Sequence, residues 1–162
     1  MIVVSDSTIL IGLVKIGQLD LLQEVFHKIY VFEEVFREVT DRGLNKPGAQ
    51  IIRKTAWIKA KPVKDRTQVN LLMASLDKGE AEVLALSKEM KAELIFLDEE
   101  KARKSAVIAG FNVMGLLGML VLAKKLGLLD EIKSLIEELR RKKFRISDGI
   151  IAQALKQAGE RF

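Results

Sequence analysis

The residues in this chain with the types and spacing to do chemistry are carboxylates. Asp6 follows the apolar run Ile2-Val3-Val4-Ser5, and Asp98 follows Leu94-Ile95-Phe96-Leu97. Between them stand Glu38, Glu80 and Glu82, and Glu99 comes directly after Asp98. An acid that closes a short β-branched run falls at the C-terminal end of a strand. In a parallel sheet such ends share one edge, and the crevice outside that edge is where open α/β sheets bind ligands. A pocket of carboxylates without His or Cys suits a hard divalent cation, Mg²⁺ or Mn²⁺, which takes oxygen ligands. That combination points to metal-assisted phosphodiester chemistry. Without a cation, the same cluster would repel itself.

Each acid also has a plainer reading. Asp6 can cap a helix that starts at Ser7, and Asp98 can cap a helix over Glu99–Ala109. Glu38 can pair with Arg42, four residues on. Glu80 and Glu82 can be first-turn acids that favour the positive end of a helix. Composition narrows the field. The chain has no Cys and one His, His27, so thiolate chemistry, disulfides and a Ser-His-Asp triad fit poorly. The net charge of +5 suits a polyanionic partner. Much of it lies in Arg140-Arg141-Lys142-Lys143-Phe144-Arg145, which reads either as a solvated helix end or as a binding patch. No apolar run approaches the ~20 residues of a membrane helix, and the start lacks a signal-peptide pattern. With cysteine absent, a cytoplasmic protein is the expectation.

Strands must position these acids. The sequence predicts strands over Ile2–Ser5, Lys28–Phe32, Leu94–Leu97 and Phe111–Met114, with Trp57–Ala60 an ambiguous edge candidate ahead of Pro62. Helical spacing runs from Ile9 to Leu19, then over Leu21–Phe26, Glu33–Asp41 and Ala49–Thr55. It resumes from Thr67, after a break at Lys78-Gly79 over Glu80–Met90, and then over Glu99–Ala109, Gly115–Leu126, Asp130–Lys142 and Ile146–Ala158. Ser7 or Thr8 is the candidate cap of the first helix and Ser147 of the last. Gly43–Gly48, with Pro47, reads as a loop. Strands alternating with helices predict an α/β fold on a mostly parallel sheet. The 162 residues predict one domain over 1–162, with a helical extension at about 130–162.

Taken together, the motifs resemble the PIN-domain ribonucleases in order and spacing. They are Val3-Val4-Ser5-Asp6-Ser7-Thr8, Val35-Phe36-Arg37-Glu38-Val39, Asp77-Lys78-Gly79-Glu80-Ala81-Glu82 and Leu97-Asp98-Glu99. The segment Met114-Gly115-Leu116-Leu117-Gly118-Met119-Leu120 resembles one PIN-like branch of archaea and bacteria, as do Arg145-Ile146-Ser147 and Ala158-Gly159-Glu160. The resemblance implies a three-layer α/β/α sandwich and Mg²⁺- or Mn²⁺-dependent endonuclease cleavage of RNA. It also implies a toxin of a toxin–antitoxin pair, often a homodimer held off by a small antitoxin protein. Carried over residue by residue, Asp6, Glu38, Glu80 and Asp98 match the family's acids in order, with Glu99 a further metal ligand. Thr8, or Ser7, matches the hydroxyl that supports the first acid. Lys101 and Arg103, on the helix after Asp98, are candidates for the RNA backbone. Two departures stand out: Glu80 replaces the usual Asp, and Asp98-Glu99 stands where further Asp residues are common.

Two rivals follow. One is a PIN-like module with a weak or dead acid site, acting through a partner surface such as the amphipathic Asp130–Lys142. The other is a different α/β phosphate enzyme. A haloacid-dehalogenase-type phosphatase needs an Asp two residues after the first, where this chain has Thr8. A receiver domain's acidic pair is missing, and Gly115 and Gly118 lack the rest of a dinucleotide fingerprint.

Overall fold

Short β-branched and apolar runs become the strands of the computed structural model: β1 (Val3–Ser5), β2 (Ile29–Phe32), β3 (Ile58–Lys61), β4 (Leu94–Phe96) and β5 (Val113–Met114). They form one sheet in the order β3-β2-β1-β4-β5, each neighbouring pair parallel. The structure describes residues 1–40 and 47–162, and of Glu38, Val39 and Pro47 it describes the backbone alone. Ten helices lie among the described residues. They are α1 (Ser7–Lys15), α2 (Asp20–Phe26), α3 (Glu33–Thr40), α4 (Pro47–Arg53), α5 (Arg66–Leu72), α6 (Lys78–Met90), α7 (Glu100–Ile108), α8 (Leu116–Lys125), α9 (Lys133–Arg141) and α10 (Asp148–Gln157).

Every residue of β1 and β4 is buried, so the centre of the sheet is covered on both faces. That is the usual condition of a parallel sheet, because each crossover lays a helix on it. With right-handed crossovers, this strand order puts α1–α4 on one face and α5–α7 on the other. The contacts agree: α1, α3 and α4 pack on one another, and α5 packs on α6. The result is the three-layer α/β/α arrangement. No helix among the described residues is long and apolar enough to cross a membrane.

The ambiguous segment Trp57–Ala60 is a parallel edge strand, β3, registered on β2 from Ile29↔Ile58 to Phe32↔Lys61. Only Ile58 of that strand is buried; Lys59 and Lys61 sit at the exposed edge, where lysine discourages pairing with another chain. Other expectations shift at helix starts. Asp6, not Ser7 or Thr8, caps α1. Pro47 opens α4 rather than belonging to a loop, which suits a residue with fixed φ and no N–H to leave unpaired. Gly48, also expected in that loop, is the second residue of α4, and Gly43 to Lys46 lie outside the described residues. Asp77 caps α6, so the helix begins at Lys78 instead of breaking there.

The C-terminal helices close on the core. The apolar stripe of α9, with Ile136 and Leu139, is buried, as is Ile132 just before it. It is therefore internal packing and not a free partner surface, which corrects that expectation for Asp130–Lys142. Glu160 fixes this region. Gly159, at φ +74, turns the chain so that the Glu160 carboxylate accepts from the amides of Ile132 (2.9 Å) and Lys133 (3.1 Å) and from Lys124 Nζ (2.9 Å). At the start of α9 the Glu131 carboxylate accepts from Ser134 N at 3.2 Å, and the distant Glu160 carboxylate takes up the two amides before it.

Candidate active site

β1 and β4 are neighbours at the centre of the sheet, and their chains leave in opposite directions, one toward β2 and the other toward β5. That is the switch point at which such sheets form a crevice. The register Ser5↔Phe96 carries Asp6 and Asp98 to the same edge. Asp6 N donates to Phe96 O at 3.0 Å, continuing the ladder, and Asp98 N donates to Asp6 Oδ2 at 3.2 Å. Asp6 Oδ1 accepts from Ile9 N at 3.1 Å, capping α1. Asp6 is thus held by backbone on both oxygens, at a helix N-terminus whose dipole favours a negative charge. Burial nevertheless pushes its carboxyl up to about 6, against hydrogen bonds from the Ile9, Asp98 and Thr8 amides that pull it down; the Asp98 charge adds to the rise. Neither the Ser7 nor the Thr8 hydroxyl bonds to Asp6, so the support comes from backbone N–H groups.

Asp98 is half-buried, and burial raises its carboxyl as well. The Arg103 guanidinium and the Leu116 amide at the start of α8 pull the other way. The guanidinium lies beside the glycine-rich segment: a Cβ at Gly115 would stand 3.4 Å from Arg103 Nη1 and 3.8 Å from Leu97 O, which is ordinary van der Waals contact. Asp98 does not cap the following helix; Glu99 does, accepting from Ala102 N at 2.8 Å.

Glu80 is engaged in a capping box: its carboxylate accepts from Asp77 N at 3.3 Å, and its amide donates to Asp77 Oδ1 at 2.8 Å. Its carboxyl is raised by burial first, then by the charges of Asp77 and Glu99. Of the predicted acids, Asp6 and Asp98 are in direct contact, whereas Glu80 is linked to Glu99 only through the influence of its charge. Among the described residues, no three such side chains gather closely enough to hold one ion. The Glu38 side chain and its pairing with Arg42 lie outside the described residues. Arg103 faces Asp98, whereas Lys101 is exposed elsewhere on α7.

Glu82, which the sequence offers as a first-turn acid, takes a different place in the fold. It is 1 % exposed, and its Oε2 has no hydrogen-bond partner. Its Oε1 lies 3.6 Å from Arg66 and 3.9 Å from Lys78. Burial still outweighs both cations and raises its carboxyl. The available signal was its place among the apolar Ala81, Val83, Leu84, Ala85 and Leu86; that every position from Ala81 to Ser87 is buried shows only in the fold.

The donor set at the switch point fits a hard divalent cation. Asp6 and Asp98 offer oxygen donors only, and each is destabilised as an anion by burial. Mg²⁺ is commonly held by one or two carboxylates plus water and substrate phosphate. A protein-family model described as a PIN domain matches residues 2–160. The chain belongs to the PIN-domain family, a nuclease-type fold whose members typically use divalent metals. No curated protein and no solved structure matches the chain.

Proposed function

We propose that this protein is a metal-dependent endoribonuclease that hydrolyses RNA phosphodiester bonds. The observation that carries the reading is the contact between Asp6 and Asp98 at the switch point of a PIN-domain sheet, where burial leaves both anions short of stabilisation. Asp6 and Asp98 would hold Mg²⁺ or Mn²⁺, with Glu80, Glu99 and Glu38 as the further acids of the set. When bound, the metal supplies Lewis-acid stabilisation of phosphoryl charge and activates water for attack. The chain's own residues do the rest. The Ile9 and Asp98 amides fix the Asp6 carboxylate, so it needs no reorganisation to receive a cation. Arg103, seated beside Gly115, favours the ionised form of Asp98 through its charge and would offer positive charge to a phosphate bound there. No side-chain nucleophile is required, in keeping with the absence of Cys. On the same reading the protein is a cytoplasmic homodimer and the toxin of a toxin–antitoxin pair, silenced by a small antitoxin protein.

The test is cleavage of a labelled single-stranded RNA with Mn²⁺ or Mg²⁺. Asp6→Asn and Asp98→Asn are each expected to lower the rate by at least about 10²-fold, the order seen when a key electrostatic group is removed. An unchanged rate in either variant overturns the mechanism.

A second reading has its own observation. Glu80 and Glu99 are both committed to helix caps, which favours a catalytically weak or inactive binding module. Calorimetric titration with Mn²⁺ separates the two. The nuclease takes up the ion in a manner lost in Asp6→Asn, and the inactive module does not.

A further inference from the structure

A cleft of about 530 Å³ opens at Asp98 and runs along α8 to the inner side of α10. Its size falls in the range of ligand sites, roughly 300–1,000 Å³. Three cations line it: Arg103 from α7, Lys125 from the end of α8, and Arg145 from the α9–α10 connection. Among the described residues, Asp98 is the one acid on its wall. Among the described residues, none of the three cations lies in an ion pair, although Arg103 feels the Asp98 charge. The neighbouring basic residues differ. Arg140 pairs with Asp148, and Lys142 donates to Glu138 and to the Lys15 carbonyl. The basic run is thus divided, with Arg140 and Lys142 tied to the fold and Arg145 turned to the cleft. The uncharged donors Ser147, Gln153 and Gln157 complete the polar lining.

We propose that this cleft is a channel for the sugar-phosphate backbone of single-stranded RNA on one side of the cleavage site, with Arg103, Lys125 and Arg145 as its phosphate contacts. The proposal rests on the nuclease reading for the identity of its ligand. Cations spread along a groove, with few acids opposing them, form an electrostatic track for a phosphate backbone. Amide and hydroxyl donors suit ribose and phosphate oxygens. A duplex is too broad to enter a cleft of this volume. The channel exists because the C-terminal segment folds back: Phe144 packs on Gly12, where a Cβ would come within 3.1 Å of the ring, and this seats Arg145 opposite α8.

The test is fluorescence anisotropy of the full-length protein with a labelled oligouridylate, in EDTA, across a salt titration. Lys125→Ala and Arg145→Ala are each expected to weaken binding several-fold. Each should also reduce the slope of log affinity against log salt by about one. Arg145→Lys is expected to restore the slope. Lys104→Ala, whose side chain pairs with Glu100 away from the cleft, should change neither quantity. Equal thermal midpoints exclude misfolding as the cause. Unchanged affinity and slope in Lys125→Ala and Arg145→Ala overturn the channel even if Asp6-dependent cleavage persists. Lost slope without any Asp6-dependent cleavage keeps the channel and overturns the nuclease reading. No binding of RNA by the unaltered protein overturns the channel.

Discussion

Asp6 caps α1 with one oxygen and receives the Asp98 amide on the other, so its place is set by backbone while its charge is disfavoured by burial. The carboxyl rises from 3.8 to about 6 on folding. The folded protein therefore holds this proton more tightly than the unfolded chain, and in the metal-free state stability falls as pH rises through that window. At about 1.4 kcal/mol per pKa unit, the effect is on the order of 2–3 kcal/mol. Asp6→Asn keeps the cap on Ile9 but loses an acceptor for the Asp98 amide, so its absolute stability mixes two effects. The expected outcome is a trend: the thermal midpoint of Asp6→Asn gains on the unaltered protein from about pH 4 to pH 6 and then levels off. A flat difference across that range contradicts it. Glu82 obeys the same sign. Its raised carboxyl means that ionisation works against the fold, so Glu82→Gln should melt higher than the unaltered protein at alkaline pH and converge with it in acid, measured by calorimetry. Both acids were identifiable in the sequence, but their burial was not, because it depends on what the neighbouring helices cover.

At the scale of elements, the strands and most helices were readable because their signals are local. The runs before Asp6 and Asp98 are β-branched or apolar, and helical spacing marks the segments between. What local signals missed were the helix ends. Ser7, Thr8 and Asp6 are all competent caps, and the choice fell to Asp6 because its strand hands the chain to α1 at that residue. The cap of α9 is local only in part: Glu131 takes the Ser134 amide, but the Ile132 and Lys133 amides go to Glu160, which reaches Ile132 from a point 28 residues away and was not readable. That contact is an expected weak link. Glu160→Ala removes charge-assisted bonds to the Ile132 and Lys133 amides and to Lys124, and should cost about 2–4 kcal/mol in denaturant unfolding. The hydrogen bonds hold the Glu160 carboxyl below its usual range despite burial. Its contribution is therefore present above the ordinary carboxylate pKa and lost as pH falls through the lowered one.

At the scale of the whole molecule, one sheet edge gathers acids from segments far apart in sequence. Asp6 and Asp98 come from neighbouring central strands, and the cationic cleft opens beside Asp98. If this edge is a metal site, Mn²⁺ should stabilise the folded protein by mass action, about 2.7 kcal/mol at a hundredfold excess over Kd. A rise in thermal midpoint that EDTA reverses and Asp6→Asn abolishes is the expected result. A rise of equal size in Asp6→Asn would place the ion elsewhere.

From the residues alone came the α/β class, the family resemblance, the oxygen-only donor chemistry and the strand-end positions of Asp6 and Asp98. Those follow from residue type and from periods of two and 3.6, which are properties of a short stretch. Folding decided which acids meet. It joined Asp6 to Asp98 through parallel register, drew Glu80 and Glu99 into caps, buried Glu82, and turned Arg145 from a basic run into the wall of a cleft. Each outcome depends on distance and on exclusion of water. Both arise when remote segments pack, so neither is written in the spacing along the chain.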